Sequence, residues 1–177
     1  MKTILLSSLS LFVFSYQFLE ARDLTYKFGV GYQESYTTAR VNDDGTSAPA
    51  HINGLAASYG VSRELQLGAF FGFVQNFDFT MVGPTLRYNF QRLINRDATV
   101  WNNLNLFAEL AFLAKFGGKS KGGITIHAPS LGFEILPFTS NNFAISTSAG
   151  LVFDFVEKNK MGFTQGLLGD LGVRYYF

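Results

Sequence analysis

The sequence predicts an all-β protein, an eight-stranded antiparallel up-and-down transmembrane β-barrel, and three observations predict it. The last seven residues, Leu171-Gly172-Val173-Arg174-Tyr175-Tyr176-Phe177, form an alternating strand that ends on an aromatic. The first residues read as an export signal. Between them lie segments of about ten residues in which apolar side chains alternate with small or polar ones, the pattern of a strand with one lipid-facing side. A chain with 20 Phe, 18 Gly and 8 Tyr supplies bulky groups for such a face and small ones for a crowded interior.

Met1-Lys2-Thr3 carries one positive charge, and Ile4 to Phe14 is an apolar run too short to span a bilayer as a helix. Ala21 offers a small residue at a cut, so residues 1–21 are expected to be a signal peptide and 22–177 the barrel domain. No cysteine is present, which removes disulfides, thiolate metal sites, a thiol nucleophile and a lipid-anchored N-terminal Cys together. A net charge of +1 gives no global field suited to nucleic acid. No later apolar run reaches the roughly 18 residues of a membrane helix.

The strands follow in order. From Leu24 to Gln33, Leu24, Tyr26, Phe28, Val30 and Tyr32 share one side. Asn42-Asp43-Asp44-Gly45 and Pro49 then mark a loop. A weaker strand runs from Ile52 to Val61, and Ser62-Arg63-Glu64 turns it into a third, where Leu65, Leu67, Ala69, Phe71 and Phe73 alternate with Gln66, Gly68, Phe70 and Gly72. The fourth sets Val82, Pro84, Leu86, Tyr88 and Phe90 against Met81, Gly83, Thr85, Arg87 and Asn89, with Pro84 expected to cause a bulge or local break. Gln91 to Asn102 is a polar connection. The fifth strand begins near Leu104, and Ala114 to Gly123 reads as a basic, glycine-rich outward loop. The sixth strand ends at Ile135, the seventh spans Phe143 to Phe155 and the eighth Phe163 to Phe177.

An even strand count places both termini at one end, and closure removes the unpaired edges that lipid does not tolerate. Tyr26, Tyr59, Tyr88, Phe90, Phe133, Phe143, Tyr175 and Phe177 then fall near the periplasmic rim, and Tyr32, Phe73, Phe112 and Phe153 near the other. Alternation alone leaves open which face points outward, since a soluble ligand-binding barrel inverts it. The polar face decides: Lys27, Arg87, Glu109, Glu134, Asp154, Asp170 and Arg174 share it, in nearly balanced signs spaced by small residues. Such a set suits a narrow interior joined by ion pairs.

From Leu24 to Phe177 the chain resembles the small eight-stranded outer-membrane barrels, the broad family of the OmpA membrane domain and the OmpX-like proteins. The resemblance rests on residues 83–90 (GPTLRYNF), 129–134 (PSLGFE) and 171–177. It implies a place in the outer membrane of a Gram-negative bacterium, with outer-membrane lipids as surroundings. It also implies that Val173, Tyr175 and Phe177 are read by the barrel-insertion machinery. Unlike the adhesin-like members, this chain has a short second outward loop near Gln75 to Thr80.

The two histidines are the only side chains whose ordinary titration lies near neutral pH. In a strand, residues two apart share a face, so His127 meets Pro129, while Ser130 is expected to point away; this weighs against a lipid A deacylase. His51 is read where loop meets strand, near Asp43, Asp44 and Ser47, and a solvated setting is favoured there over a rim site for acyl transfer. Lys115, Lys119 and Lys121 are assigned to an outward loop where they would meet lipopolysaccharide phosphates. Phe70, Phe107, Leu168 and Tyr176 point inward and would help to plug the lumen. Nothing resembles a phosphate loop, a zinc motif or a hydrolase elbow, so no cofactor, no metal and no catalytic residue is expected. The expectation is a non-enzymatic envelope protein with a structural or surface-interaction role, the alternatives being a narrow channel for ions or small solutes and, less favoured, a lipid A-modifying enzyme.

Overall fold

The alternating segments become eight strands: β1 (Phe28–Thr37), β2 (Ala50–Gly60), β3 (Leu65–Val74), β4 (Thr80–Asn89), β5 (Leu104–Phe116), β6 (Gly123–Ile135), β7 (Phe143–Glu157) and β8 (Met161–Tyr176). The computed structural model describes residues 24–38, 50–74, 79–90, 104–117, 122–136, 142–157 and 161–177. The expected signal peptide and the Gln91 to Asn102 connection lie outside them. Each strand pairs antiparallel with the next, and β1 pairs with β8, so the sheet closes into a barrel. The wall is uneven. Strands β1 to β4 are 10 or 11 residues long, whereas β5 to β8 run from 13 to 16.

The two faces separate by chemistry. Phe28, Val30, Leu55, Leu67, Phe71, Leu86, Leu131, Leu167 and Leu171 stand on the exposed exterior, while Gln66, Arg87, Asn89, Asn105, Glu134 and Arg174 are buried inside. An apolar outside around a polar inside is the arrangement of a barrel in lipid and the inverse of a soluble one. Part of the interior is nonetheless apolar: Ile52, Phe70, Val74, Phe79, Met81 and Leu113 form a cluster toward the end away from the termini. The Phe70 ring lies across β2 and β3 because Gly54 and Gly72 lack side chains; a Cβ at either would sit within 2.4 Å of ring carbons.

The first strand begins later than its alternation suggests. Tyr26 adopts φ 62°, a left-handed conformation unusual outside glycine, and this reverses the chain at the barrel mouth. The Tyr26 amide donates to the Gly60 carbonyl, and the Gly60 amide to the Lys27 carbonyl. Leu24, expected on the lipid side, is instead 3% exposed and packs with Ala144 and Tyr176 inside the mouth. Gly60 is needed here, since a Cβ would lie 1.8 Å from the Leu24 carbonyl oxygen. Lys27 therefore sits half-exposed in a turn and is not one of the strand-borne interior charges.

Two prolines behave differently. Pro84 pairs in register with Ala69, and the β4–β5 ladder lacks pairs at Gly83 and Pro84 but resumes unshifted, from Val82 opposite Ala114 to Thr85 opposite Ala111. It breaks the ladder without a bulge. The bulge falls in β6, where Ala111 faces His127 but Glu109 faces Ser130, so Ala128 and Pro129 together oppose Leu110. An extra residue reverses the inward–outward phase beyond it. As a result His127 and Ser130 both point into the lumen and both are buried, which corrects the expectation that Ser130 faces away.

Candidate functional site

The lumen is built in layers from the inward side chains of facing strands. Nearest the termini, the Asn105 amide donates to Asn89 Oδ1 at 2.8 Å. Above it Arg87, carried by β4, is fixed by three groups. Its Nε donates to Glu109 Oε2 at 2.7 Å, its Nη1 donates to Glu134 Oε1 at 3.2 Å, and its guanidinium lies 3.9 Å from the centre of the Phe107 ring. The Tyr176 hydroxyl donates to the same Glu134 oxygen at 3.1 Å. One planar cation thus joins two carboxylates from β5 and β6, a use for which a guanidinium fork is better shaped than an ammonium.

Arg174 lies buried close enough to Glu109 to act on its charge. Higher up, Asp170 accepts from the Ser148 hydroxyl at 2.8 Å, and His127 stands in the field of Asp170, Glu109 and Asp154. The Ser130 hydroxyl is directed to the Glu109 carbonyl at 3.4 Å. His127 Nε2 and Asp170 Oδ1 are buried without a hydrogen-bond partner. Toward the far rim Asp154 receives both Lys115 Nζ and the Thr125 hydroxyl at 2.5 Å.

That last pair is a correction. Because β5 continues to Phe116, Lys115 is an inward strand residue, 5% exposed, that neutralises Asp154. It is therefore not an outward lysine available to lipopolysaccharide. Sequence reasoning stopped β5 too early at the glycine-rich run, although Phe112, Ala114 and Phe116 continue its outward alternation. Lys119 and Lys121 lie outside the described residues. Of the expected interior charges, Arg87, Glu109, Glu134 and Arg174 are brought together, Asp154 joins Lys115, Asp170 lies between these groups, and Lys27 stands apart.

His51, expected where loop meets strand, is the second residue of β2. It lies on the exterior face, its ring stacked on Tyr36 at 4.4 Å and 6°. Glu34 Oε2 lies 3.9 Å from its Nε2. The Tyr32 hydroxyl lies 2.6 Å from Asn53 Oδ1 and 3.2 Å from Glu34 Oε1, donating to them in turn. Sequence reasoning missed this patch because β1 and β2 were each treated alone. Pairing Glu34 with Asn53 and Tyr36 with His51 brings the polar exceptions of two weak strands to one place. Among the described residues no group of three or more His, Cys, Asp or Glu side chains is arranged to hold a metal.

Aromatics mark the end bearing the termini. Tyr88 meets Phe90 edge-on at 5.4 Å and Tyr175 meets Phe177 at 5.0 Å. At the opposite rim Phe163 contacts Phe153 and Phe155.

The closed sheet of eight strands, apolar outside and filled with charge inside, defines a transmembrane β-barrel of the small eight-stranded class. Among solved structures the chain is similar to Neisserial surface protein A, with a TM-score of 0.54 at 15% identity over 86% of this chain and 97% of that one. A de novo designed transmembrane β-barrel matches at 16% identity with a TM-score of 0.49, over 86% and 97% of the two chains. The attachment invasion locus protein Ail of Yersinia pestis matches at 13% identity with a TM-score of 0.43, over 86% and 99%. No protein-family model and no curated protein matches the sequence.

Proposed function

We propose that the protein is a non-enzymatic component of a Gram-negative outer membrane, anchored by its lipid-facing wall and presenting its outward loops for structural or surface contacts. The observation that carries this reading is the filled lumen. Arg87, Glu109, Glu134, Phe107 and Tyr176 close one half, and Phe70, Met81, Leu113 and the Lys115–Asp154 pair occupy the other. An eight-stranded barrel is only wide enough for such side chains to fill it.

A narrow channel is the second reading, because Gln66 Nε2 and Oε1, His127 Nε2 and Asp170 Oδ1 are polar, buried and unpartnered within the interior. Solute flux through the refolded barrel in liposomes separates the two. Flux no greater than in empty liposomes is the expected result. Flux well above that level overturns the plugged reading and makes the interior charges pore residues.

Assembly supplies a further prediction. Val173, Tyr175 and Phe177 stand in line on the exposed face of the last strand, where the insertion machinery would read them. Deleting Phe177 is expected to reduce the protein in the outer-membrane fraction and leave it in the periplasm, as judged by fractionation and heat-dependent gel shift. Unchanged outer-membrane levels would count against this assignment.

A further inference from the structure

The exterior wall is interrupted by a groove of about 750 Å³, where the outer ends of β1 and β2 meet the middle of β7 and β8. Gly169 and Ala149 form its floor, Leu151 and Leu167 one bank, and the stacked Tyr36 and His51 the other. Tyr36, Leu151 and Leu167 are exposed exterior side chains, and a Cβ built at Gly169 meets nothing within 4 Å. The opening therefore faces outward from the barrel.

Its polar bank is unusual for such a wall. A charged group facing hydrocarbon is strongly disfavoured, yet Glu34 stands on the exterior, three residues from the end of β1 and opposite Asn53. Its Oε1 accepts from Tyr32, while among the described residues the group recorded at its Oε2 is His51 Nε2, at 3.9 Å. That nitrogen is buried and makes no hydrogen bond. The patch thus offers a carboxylate oxygen to an occupant able to donate. Tyr36 lies opposite Gly169 and Glu34 opposite Leu171 in the β1–β8 register, so this acceptor stands two residues along β1 from the one that borders the apolar floor. Tyr36 is eight residues from Phe28, which at about 3.3 Å per residue and a tilt near 40° places the groove roughly 20 Å above the termini end, in the outward-facing leaflet.

We propose that this groove binds lipid A, the glycolipid anchor of lipopolysaccharide, with one acyl chain over Gly169 and Ala149 and a hydroxyl or amide N–H of its acyl linkage donating to Glu34. Ester linkages of glycerophospholipids present acceptors alone. The amide-linked β-hydroxyacyl chains of lipid A bring donors at the base of an apolar chain, the combination that the two banks require. The assignment rests on the outer-membrane reading and uses none of the lysines.

Native mass spectrometry of the full refolded protein, offered purified lipid A or dioleoyl phosphatidylcholine, whose headgroup has no N–H or O–H donor, tests it. Wild type is expected to retain lipid A about ten-fold better, the order of one charge-assisted hydrogen bond. Glu34→Leu should remove that preference, and Gly169→Leu, which the open space tolerates, should reduce retention of both lipids. Ala149→Leu fills the same floor should Gly169→Leu fail its heat-dependent gel shift. Equal retention of the two lipids by wild type, or variants indistinguishable from it, overturns the proposal. So does a dimer whose contact, mapped by cross-linking, covers Tyr36 and Leu167. Failure to insert into lipid vesicles at all would overturn the membrane reading as well, whereas insertion without lipid preference would overturn this inference alone.

Discussion

Arg87→Leu is expected to destabilise the folded barrel by about 3–5 kcal/mol, the range for removing one partner from a buried ion pair. Arg87 is hydrogen-bonded to both Glu109 and Glu134. Leucine would leave both carboxylates without its two hydrogen bonds and would take the guanidinium off the Phe107 ring. Arg174 and Tyr176 would remain near these acids, which keeps the effect below that of two bare charges. Guanidinium unfolding in lipid vesicles measures it. Converting the acids as well, in Arg87→Leu/Glu109→Gln/Glu134→Gln, should recover part of the loss, because the single variant suffers mainly from unpaired charge. If the single variant unfolds like wild type, water already solvates these carboxylates and the channel reading gains.

The fold was legible because a membrane wall writes its two faces into every strand. Leu65 to Phe73 and Phe143 to Phe155 could be phased from alternation alone, and both lie in strands of the barrel. Legibility failed where the backbone departs from period 2. A left-handed Tyr26 turned Leu24 inward and removed Lys27 from the strand. The extra residue at Ala128-Pro129 turned Ser130 to the side of His127. Pro129 was the available signal, since proline in a closed ladder accompanies bulges, but Pro84 carried the same signal and made none. A Cβ at Gly83 would lie 1.8 Å from the Phe112 carbonyl oxygen, so β4 runs close to β5 beside Pro84 with no added residue.

The candidate sites were harder to read because they exist only across strands. Arg87 and Glu109 could be assigned to one face from their own segments, yet that they pair directly follows from the β4–β5 register. Lys115 illustrates the cost of a misplaced boundary: three residues of extra strand, Ala114 to Phe116, convert a solvated cation into the partner of Asp154. The Glu34–His51 patch is the reverse case, since polar residues in a lipid-facing register look like loop until pairing shows that they converge.

Leu131→Arg is the direct test of which face meets hydrocarbon, with an expected loss of about 2–4 kcal/mol if the position lies near the bilayer midplane. Leu131 is 64% exposed on β6, four residues from the strand end at Ile135. At about 3.3 Å per residue and a tilt near 40°, that is roughly 10 Å above the end, within an apolar band about 25 Å tall. Ile135→Arg, on the same face at the rim, should cost only about 0–1 kcal/mol because a long side chain there reaches the interface. The difference between the two carries the test, since both remove an exterior apolar group and add the same cation. Unfolding in vesicles should therefore show depth dependence. Equal and small losses would mean that β6 does not face lipid, whereas equal and large ones would mean that the rim lies deeper than its aromatics indicate.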